Sequence, residues 1–222
     1  MSSPRSFYIA GIAFLGVALV LGIITSISLP TFSAIDFVRV FFPNAPKDGN
    51  IMSEARFGIW APCLYDGNGK RSCVDSGHGY AFVIFSAEDL SKFVIIGSSW
   101  TRGLAIHPVA TAFTAIALGL ACSKLEHGPL LASLSSFVAS FLWLLAFIVD
   151  IALYAYVKQK VGTIPNGHTS AGPAFWLTFI CLILVLLSGC TVCFGRRKES
   201  GSDYPSFSSS GSGGILSRFR KN

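Results

Sequence analysis

Charge is what this chain has least of. Lys, Arg, Asp and Glu together make up 13% of its 222 residues, about half the share found in soluble globular domains, which rules out a hydrated surface over most of the molecule. Catalytic signatures are missing as well. The sequence holds no nucleophile elbow, no His-Glu-x-x-His pair and no phosphate-cradling glycine loop, and the polar stretch 30–102 has His78 as its lone histidine. No Asn-x-Ser/Thr glycosylation site occurs either. Neither an enzyme nor a cofactor or metal site is expected from such a composition.

What the chain does have is apolar residues, 52% of the total, gathered into four runs at 7–29, 103–122, 130–157 and 174–194. Each approaches the roughly 20 residues that a helix needs to cross about 30 Å of hydrocarbon. Backbone groups in lipid must be satisfied within the segment, so every run reads as a helix despite its β-branched and aromatic residues. The first run is uncharged and closed by Pro30. It is longer than the apolar part of a cleaved secretory signal and lacks a clean small-x-small site, so it reads as a retained helix.

Orientation follows from the basic residues outside the runs. Arg5, Lys124 and the cluster Arg196, Arg197, Lys198 with Arg218, Arg220 and Lys221 predict that both termini and the short second connection face the cytosol. The loops 30–102 and 158–173 then lie outside. Most of the formal charge of +6 sits in the Ser- and Gly-rich tail 196–222, which is expected to be disordered and to favour anionic inner-leaflet lipid over nucleic acid. Phosphorylation of its serines would weaken that attraction.

The six cysteines divide by compartment. Cys63 and Cys73 fall in the outer loop, flanking Asp66-Gly67-Asn68-Gly69, a hairpin-turn sequence. An oxidising exterior lets them pair and staple two short strands, the alternative being two free or metal-binding thiols. Cys190 and Cys193 lie beside the basic tail, where they are either palmitoylation sites or small buried residues. Within the loop, 35–42 reads as a strand, 54–60 and 70–74 as weaker ones, and Ser86 with Asp89 as the cap of a helix leading to the membrane.

Gly58-Ile59-Trp60-Ala61-Pro62-Cys63, followed by Cys73, resembles the G-L-W-x-x-C…C signature of the claudin superfamily. Leu29-Pro30, 36–40, Gly79-Tyr80, 104–108 and 148–151 more closely resemble the fungal PalI/Sur branch, over nearly the whole chain to Gly195. No Trp precedes Ile59 in the loop, unlike in claudins proper, and the short tail points to a Sur-like member rather than the long-tailed PalI sensors. The resemblance implies a membrane α fold, a four-helix bundle with a small extracellular antiparallel sheet. It also implies plasma-membrane residence, lateral assembly in eisosome-type cortical microdomains, and support of cell-wall, endocytic or alkaline-pH responses.

Several residues are candidates for mechanism. Trp60 and Gly58, with the Cys63–Cys73 pair, are expected to pack the outer hairpin onto the mouth of the bundle, glycine permitting close approach; a ligand-binding role for the ring is the alternative. Asp150 is an ionisable group inside a helix, costly by about 2.5–3.5 kcal/mol on insertion scales, and needs a partner. Depth places His107 and Arg102 within reach, predicting a polar cluster of Arg102, His107 and Asp150 that either senses pH or fixes packing. Small residues repeat at Ala18, Gly22, Ser26 and at Ala132, Ser136, Ser140, where helices can approach closely, within one molecule or between copies. The reading that unites these features is a non-enzymatic membrane organiser whose partners are sphingolipid- or sterol-rich lipid, other membrane proteins or copies of itself. The alternative is a pH-sensing or ion-transport component built on Asp150 and His107.

Overall fold

The computed structural model describes residues 4–43, 52–74, 77, 79–85, 93–123 and 128–200. Helix α1 spans Pro4–Ser26, α2 Ser98–Arg102, α3 Ile106–Cys122, α4 Gly128–Val161 and α5 Pro173–Ser200. A 3-10 turn at Gly103–Ala105 joins α2 to α3. Among the described residues, four stretches are long and apolar enough to cross a membrane: Tyr8–Ser26, Ser98–Cys122, Leu130–Val161 and Pro173–Thr191. The protein is a multi-pass membrane protein.

The expected spans hold while their ends move. The first helix stops at Ser26 instead of Leu29 because Pro30 disfavours helical geometry in the residue before it, and the chain turns at Ser28–Thr31. The third helix runs on to Val161, with Lys158 and Lys160 in its last turn, where positive charge complements the helix dipole. The loop between α4 and α5 is correspondingly shorter than 158–173. The fourth helix continues to Ser200, so residues 196–200 are helical, not disordered as expected; the remainder of the tail lies outside the described residues.

The helices form a ring in which α1 touches α3 and α5, and α4 touches the same two. Small residues make this possible. Ala18, Ala110, Ala117, Ala132, Ala139 and Ala146 are buried at the helix contacts around Leu15, Trp143 and Val185. Gly22 faces Thr111 and the Trp143 ring so closely that a methyl group would collide. Both small-residue stripes turn inward, with Ser26 Oγ 3.1 Å from Thr111 Oγ1 and Ser136 and Ser140 buried. Their hydroxyls bond to helix carbonyls one turn back, at 2.8 Å each. Large apolar side chains such as Phe137, Phe141, Ile148 and Trp176 point outward instead, as a lipid solvent allows.

At one end of the bundle lies a five-stranded antiparallel sheet, in the order β4–β3–β2–β1–β7. Its strands are β1 Val38–Phe41, β2 Met52–Phe57, β3 Pro62–Asp66, β4 Arg71–Cys73 and β7 His168–Ala171. The first four come from the long loop; β7 comes from the second loop and pairs along β1, Val38 opposite Ala171. A separate hairpin, β5 Phe82–Phe85 with β6 Phe93–Ile96, precedes α2. One apolar core joins sheet, hairpin and the upper turns of α4, through Phe37, Val40, Phe57, Phe82, Ile96, Leu153 and Val157.

Here the strand expectations need correction. The 54–60 strand ends at Phe57 because Gly58 leaves the sheet to pack on Leu29 in the turn after α1. The strand before the Asp66 turn is β3, opened by Pro62 at the first position, where its missing N–H is tolerated. Ser86 and Asp89, where a helix is expected to begin, lie outside the described residues; Phe93–Ile96, beyond them, is extended.

Candidate functional site

Two constellations stand out, one at the seam between sheet and helices and one inside the bundle. The seam is the Gly58-Ile59-Trp60 segment. A helix end leaves its last carbonyls without partners, and the Trp60 indole N–H donates to Ser26 O at the end of α1, at 2.8 Å. Ile59 N–H donates to Ser28 Oγ at 3.0 Å, while the buried Tyr80 hydroxyl donates to Gly58 O at 2.7 Å. Thr101 Oγ1 in α2 in turn donates to Tyr80 O at 2.6 Å. Burial raises the Tyr80 pKa, so its hydroxyl keeps its proton. Gly58 is required here: a Cβ would stand 2.5 Å from Leu29 Cβ and 2.9 Å from Leu29 O. Cys63 and Cys73, opposite each other on β3 and β4, form the disulfide and close the hairpin beside this clasp.

Asp36, one residue before Phe37 at the entry to β1, anchors the other side of the seam. Its buried carboxylate takes two 2.7 Å bonds from the Arg39 guanidinium, and its carbonyl accepts from Ala174 N–H at 3.0 Å. Burial nevertheless raises the Asp36 pKa, outweighing Arg39 and the more distant Arg56. Gly172 packs against Asp36 with no room for a side chain. On β2, Glu54 holds Arg56 in a like two-pronged contact at 2.6 and 3.2 Å, which raises the Arg56 pKa, and the guanidinium lies 4.3 Å over the Tyr65 ring.

Inside the bundle, His107 of α3 meets Asp150 of α4 and Thr178 of α5, all buried. The Nε2 atom is 3.2 Å from Asp150 Oδ2 and 3.2 Å from Thr178 Oγ1. The hydrogen-bond partners assign the protons. Nδ1 lies 2.8 Å from Leu104 O, which only accepts, so Nδ1 carries a hydrogen. Thr178 Oγ1 donates to Ala174 O at 3.0 Å and therefore faces Nε2 as an acceptor. With Thr178 Oγ1 as an acceptor, Nε2 also carries a hydrogen, directed at Oδ2 and Thr178 Oγ1, which makes the pair an imidazolium with a carboxylate. The pair has no net charge, the condition for burying it in hydrocarbon. Asp150 Oδ1 accepts no hydrogen bond among the described residues, an omission that costs about 1–3 kcal/mol.

Arg102 does not belong to this cluster. It is exposed, with its side-chain stem against Gly79. About five positions at about 100° each put Arg102 on a different helix face from His107. Thr178 takes the third place instead, a residue that sequence reasoning missed because a threonine in an apolar run bonds its own helix by default.

Aromatic rings connect the two constellations. Phe37 meets His107 edge-on at 4.7 Å between centroids, and Trp143 approaches the imidazole at 6.1 Å while donating to Thr114 Oγ1 at 3.0 Å. Phe37 N–H donates to Phe57 O at 2.8 Å, and Phe37 O accepts from Gly172 N–H at 2.9 Å. One residue thus touches the buried histidine, β2 and the loop between α4 and α5.

Residues 7–188 match the family model described as the SUR7/PalI family. The chain belongs to that family. A similar protein is the pH-response regulator protein palI/RIM9 of Yarrowia lipolytica (strain CLIB 122 / E 150), 30% identical over 156 residues that make up 65% of this chain and 19% of the relative. The chain therefore spans only about a fifth of that relative's length. The clasp at Gly58 to Cys73 and the His107–Asp150 pair both lie within the residues matched to SUR7/PalI proteins.

The two remaining cysteines flagged in the sequence lie on α5. Cys190 is exposed with a free thiol; the side chain of Cys193 lies outside the described residues.

Proposed function

We propose that this SUR7/PalI protein is a non-catalytic organiser of the plasma membrane, with both termini cytosolic and its sheet outside, working through lateral contacts with lipid and with other membrane proteins or copies of itself. The observation that carries this reading is the single platform made by the sheet. Strands from both outer loops share it, a disulfide closes it, and the Trp60 and Ile59 bonds fix it to the end of α1 and the turn that follows. The small-residue faces are used up inside the bundle, so the outward surface of large apolar groups is what neighbours meet. The membership of cortical microdomains and the support of cell-wall or endocytic responses follow from the same reading. Purification in mild detergent, with measurement of oligomeric mass and co-purifying lipids and proteins, tests it. Clustered patches in cells should persist in Asp150→Asn and dissolve in Trp60→Ala; a uniform distribution of the wild-type protein would refute it.

A second reading, a component of ambient-pH signalling or ion transport, is favoured by the buried His107–Asp150 pair and its Phe37 link to the sheet, and by the pH-response name of the Yarrowia relative. An alkaline-pH response, or a proton-dependent current, that survives unchanged in Asp150→Asn would remove it.

A further inference from the structure

The β5–β6 hairpin has apolar side chains on both faces. Phe82, Ile84, Val94 and Ile96 face the core. On the other face Val83, Phe85, Phe93 and Ile95 are 37%, 49%, 55% and 53% exposed, paired across the strands as Val83 with Ile95 and Phe85 with Phe93. A half-solvated antiparallel pair would carry polar groups there, and this face carries none.

Its level relative to the bilayer can be read from the helices. His107, Asp150 and Thr178 share one depth, and Thr178 lies about five residues, or about 7.5 Å, inside the start of α5 at Pro173. On α4 a climb one residue longer, six residues from Asp150, reaches Tyr156, at about 9 Å. Trp100 stacks on Tyr156 at 4.2 Å and 13°, and the Tyr156 hydroxyl is 3.5 Å from Ile95 O. Trp and Tyr collect at the boundary between hydrocarbon and headgroups. Lys158 and Lys160, near the rings of Tyr154 and Tyr156 at 5.8 and 5.9 Å, add the positive charge that lipid phosphates attract. The inner face of the hairpin shares one core with Leu153 and Val157 of α4, and β6 touches that helix, so its outer face turns away from α4.

We propose that Val83, Phe85, Phe93 and Ile95, with Trp100 and Tyr156, form a lipid-contact surface seated in the headgroup and upper acyl layer on the sheet side. The hairpin is then a lateral float that fixes the height and tilt of the bundle, whatever proteins assemble around it.

Nitroxide labelling in phosphatidylcholine nanodiscs tests this. Labels are placed singly at Val83→Cys, Phe93→Cys and, as a water-exposed reference, Arg71→Cys, in a full-length chain whose Cys122, Cys181, Cys190 and Cys193 are replaced by Ala. The ratio of collisions with oxygen to collisions with a water-soluble nickel chelate should be higher at 83 and 93 than at 71. Equal ratios at all three positions would overturn the proposal. Spin–spin broadening at 93 that disappears on dilution with unlabelled chain would overturn it too, since a second copy would then cover the face. If a substitution prevents folding, judged by loss of the Cys63–Cys73 disulfide, its cross-strand neighbour (Ile95→Cys or Phe85→Cys) reads the same depth.

Discussion

Replacing Gly58 by alanine adds one methyl group at the tightest point of the seam. That methyl would lie 2.5 Å from Leu29 Cβ, 2.9 Å from Leu29 O and 3.0 Å from Leu29 N. Two of the three obstacles are backbone, so no rotamer change relieves the clash and one chain must move away from the other. Overpacking of this kind costs about 1–3 kcal/mol. The displacement also lengthens the Tyr80-to-Gly58 and Ile59-to-Ser28 bonds, each worth about 1 kcal/mol. An expected loss of about 2–3 kcal/mol corresponds to about 4–12 °C in melting temperature for a chain of this size. The assay is thermal unfolding in mild detergent, followed by gel filtration of a fluorescent fusion. Gly16→Ala is the control: it lies in α1 with nothing within 4 Å of the added carbon and should melt as wild type or slightly higher. If Gly58→Ala melts with Gly16→Ala, the seam is not held as described.

Removing Asp150 as Asp150→Ala should cost about 3–5 kcal/mol, the range for breaking a buried pair, whereas Asp150→Asn keeps a hydrogen bond to a neutral His107 and should cost less; melts of both, and of each with His107→Ala, give the coupling. Trp60→Phe keeps the ring but strips the bond to Ser26 O, and should cost about 0.5–1.5 kcal/mol by the same melts. For Asp36, burial raises the folded pKa, so the native state binds the proton more tightly than the unfolded chain. Its contribution to stability is present below the unfolded pKa and is lost as pH rises through the folded one. Relative to Asp36→Asn, wild type should therefore gain melting temperature as pH falls from about 7 to about 4, Arg39, Arg56 and Glu54 being the charged groups that face the carboxyl.

What could be read from the residues depended on the range of the signal. Four spans need only local hydropathy, and Cys63 with Cys73 needs only a turn between two thiols on one side of a membrane. The Gly58-Ile59-Trp60 clasp was legible as a motif, although its partners Ser26, Ser28 and Leu29 were not, because helix ends carry no signal of who caps them. Depth along two helices brought His107 to Asp150, while the azimuth, which depth ignores, excluded Arg102 and admitted Thr178. The β7 strand escaped notice for a different reason: His168-Thr169-Ser170-Ala171 has neither apolar alternation nor aromatic weight and is extended only because β1 offers it an edge.

That last strand has a consequence for biosynthesis. Phe41 must wait for His168, and Asp36 O for Ala174 N–H, so through the emergence of two further helices the nascent chain holds an unpaired β-edge. Premature termination after the third helix would leave that edge permanently unsealed, a form that quality control can recognise and that invites strand exchange between unfinished chains.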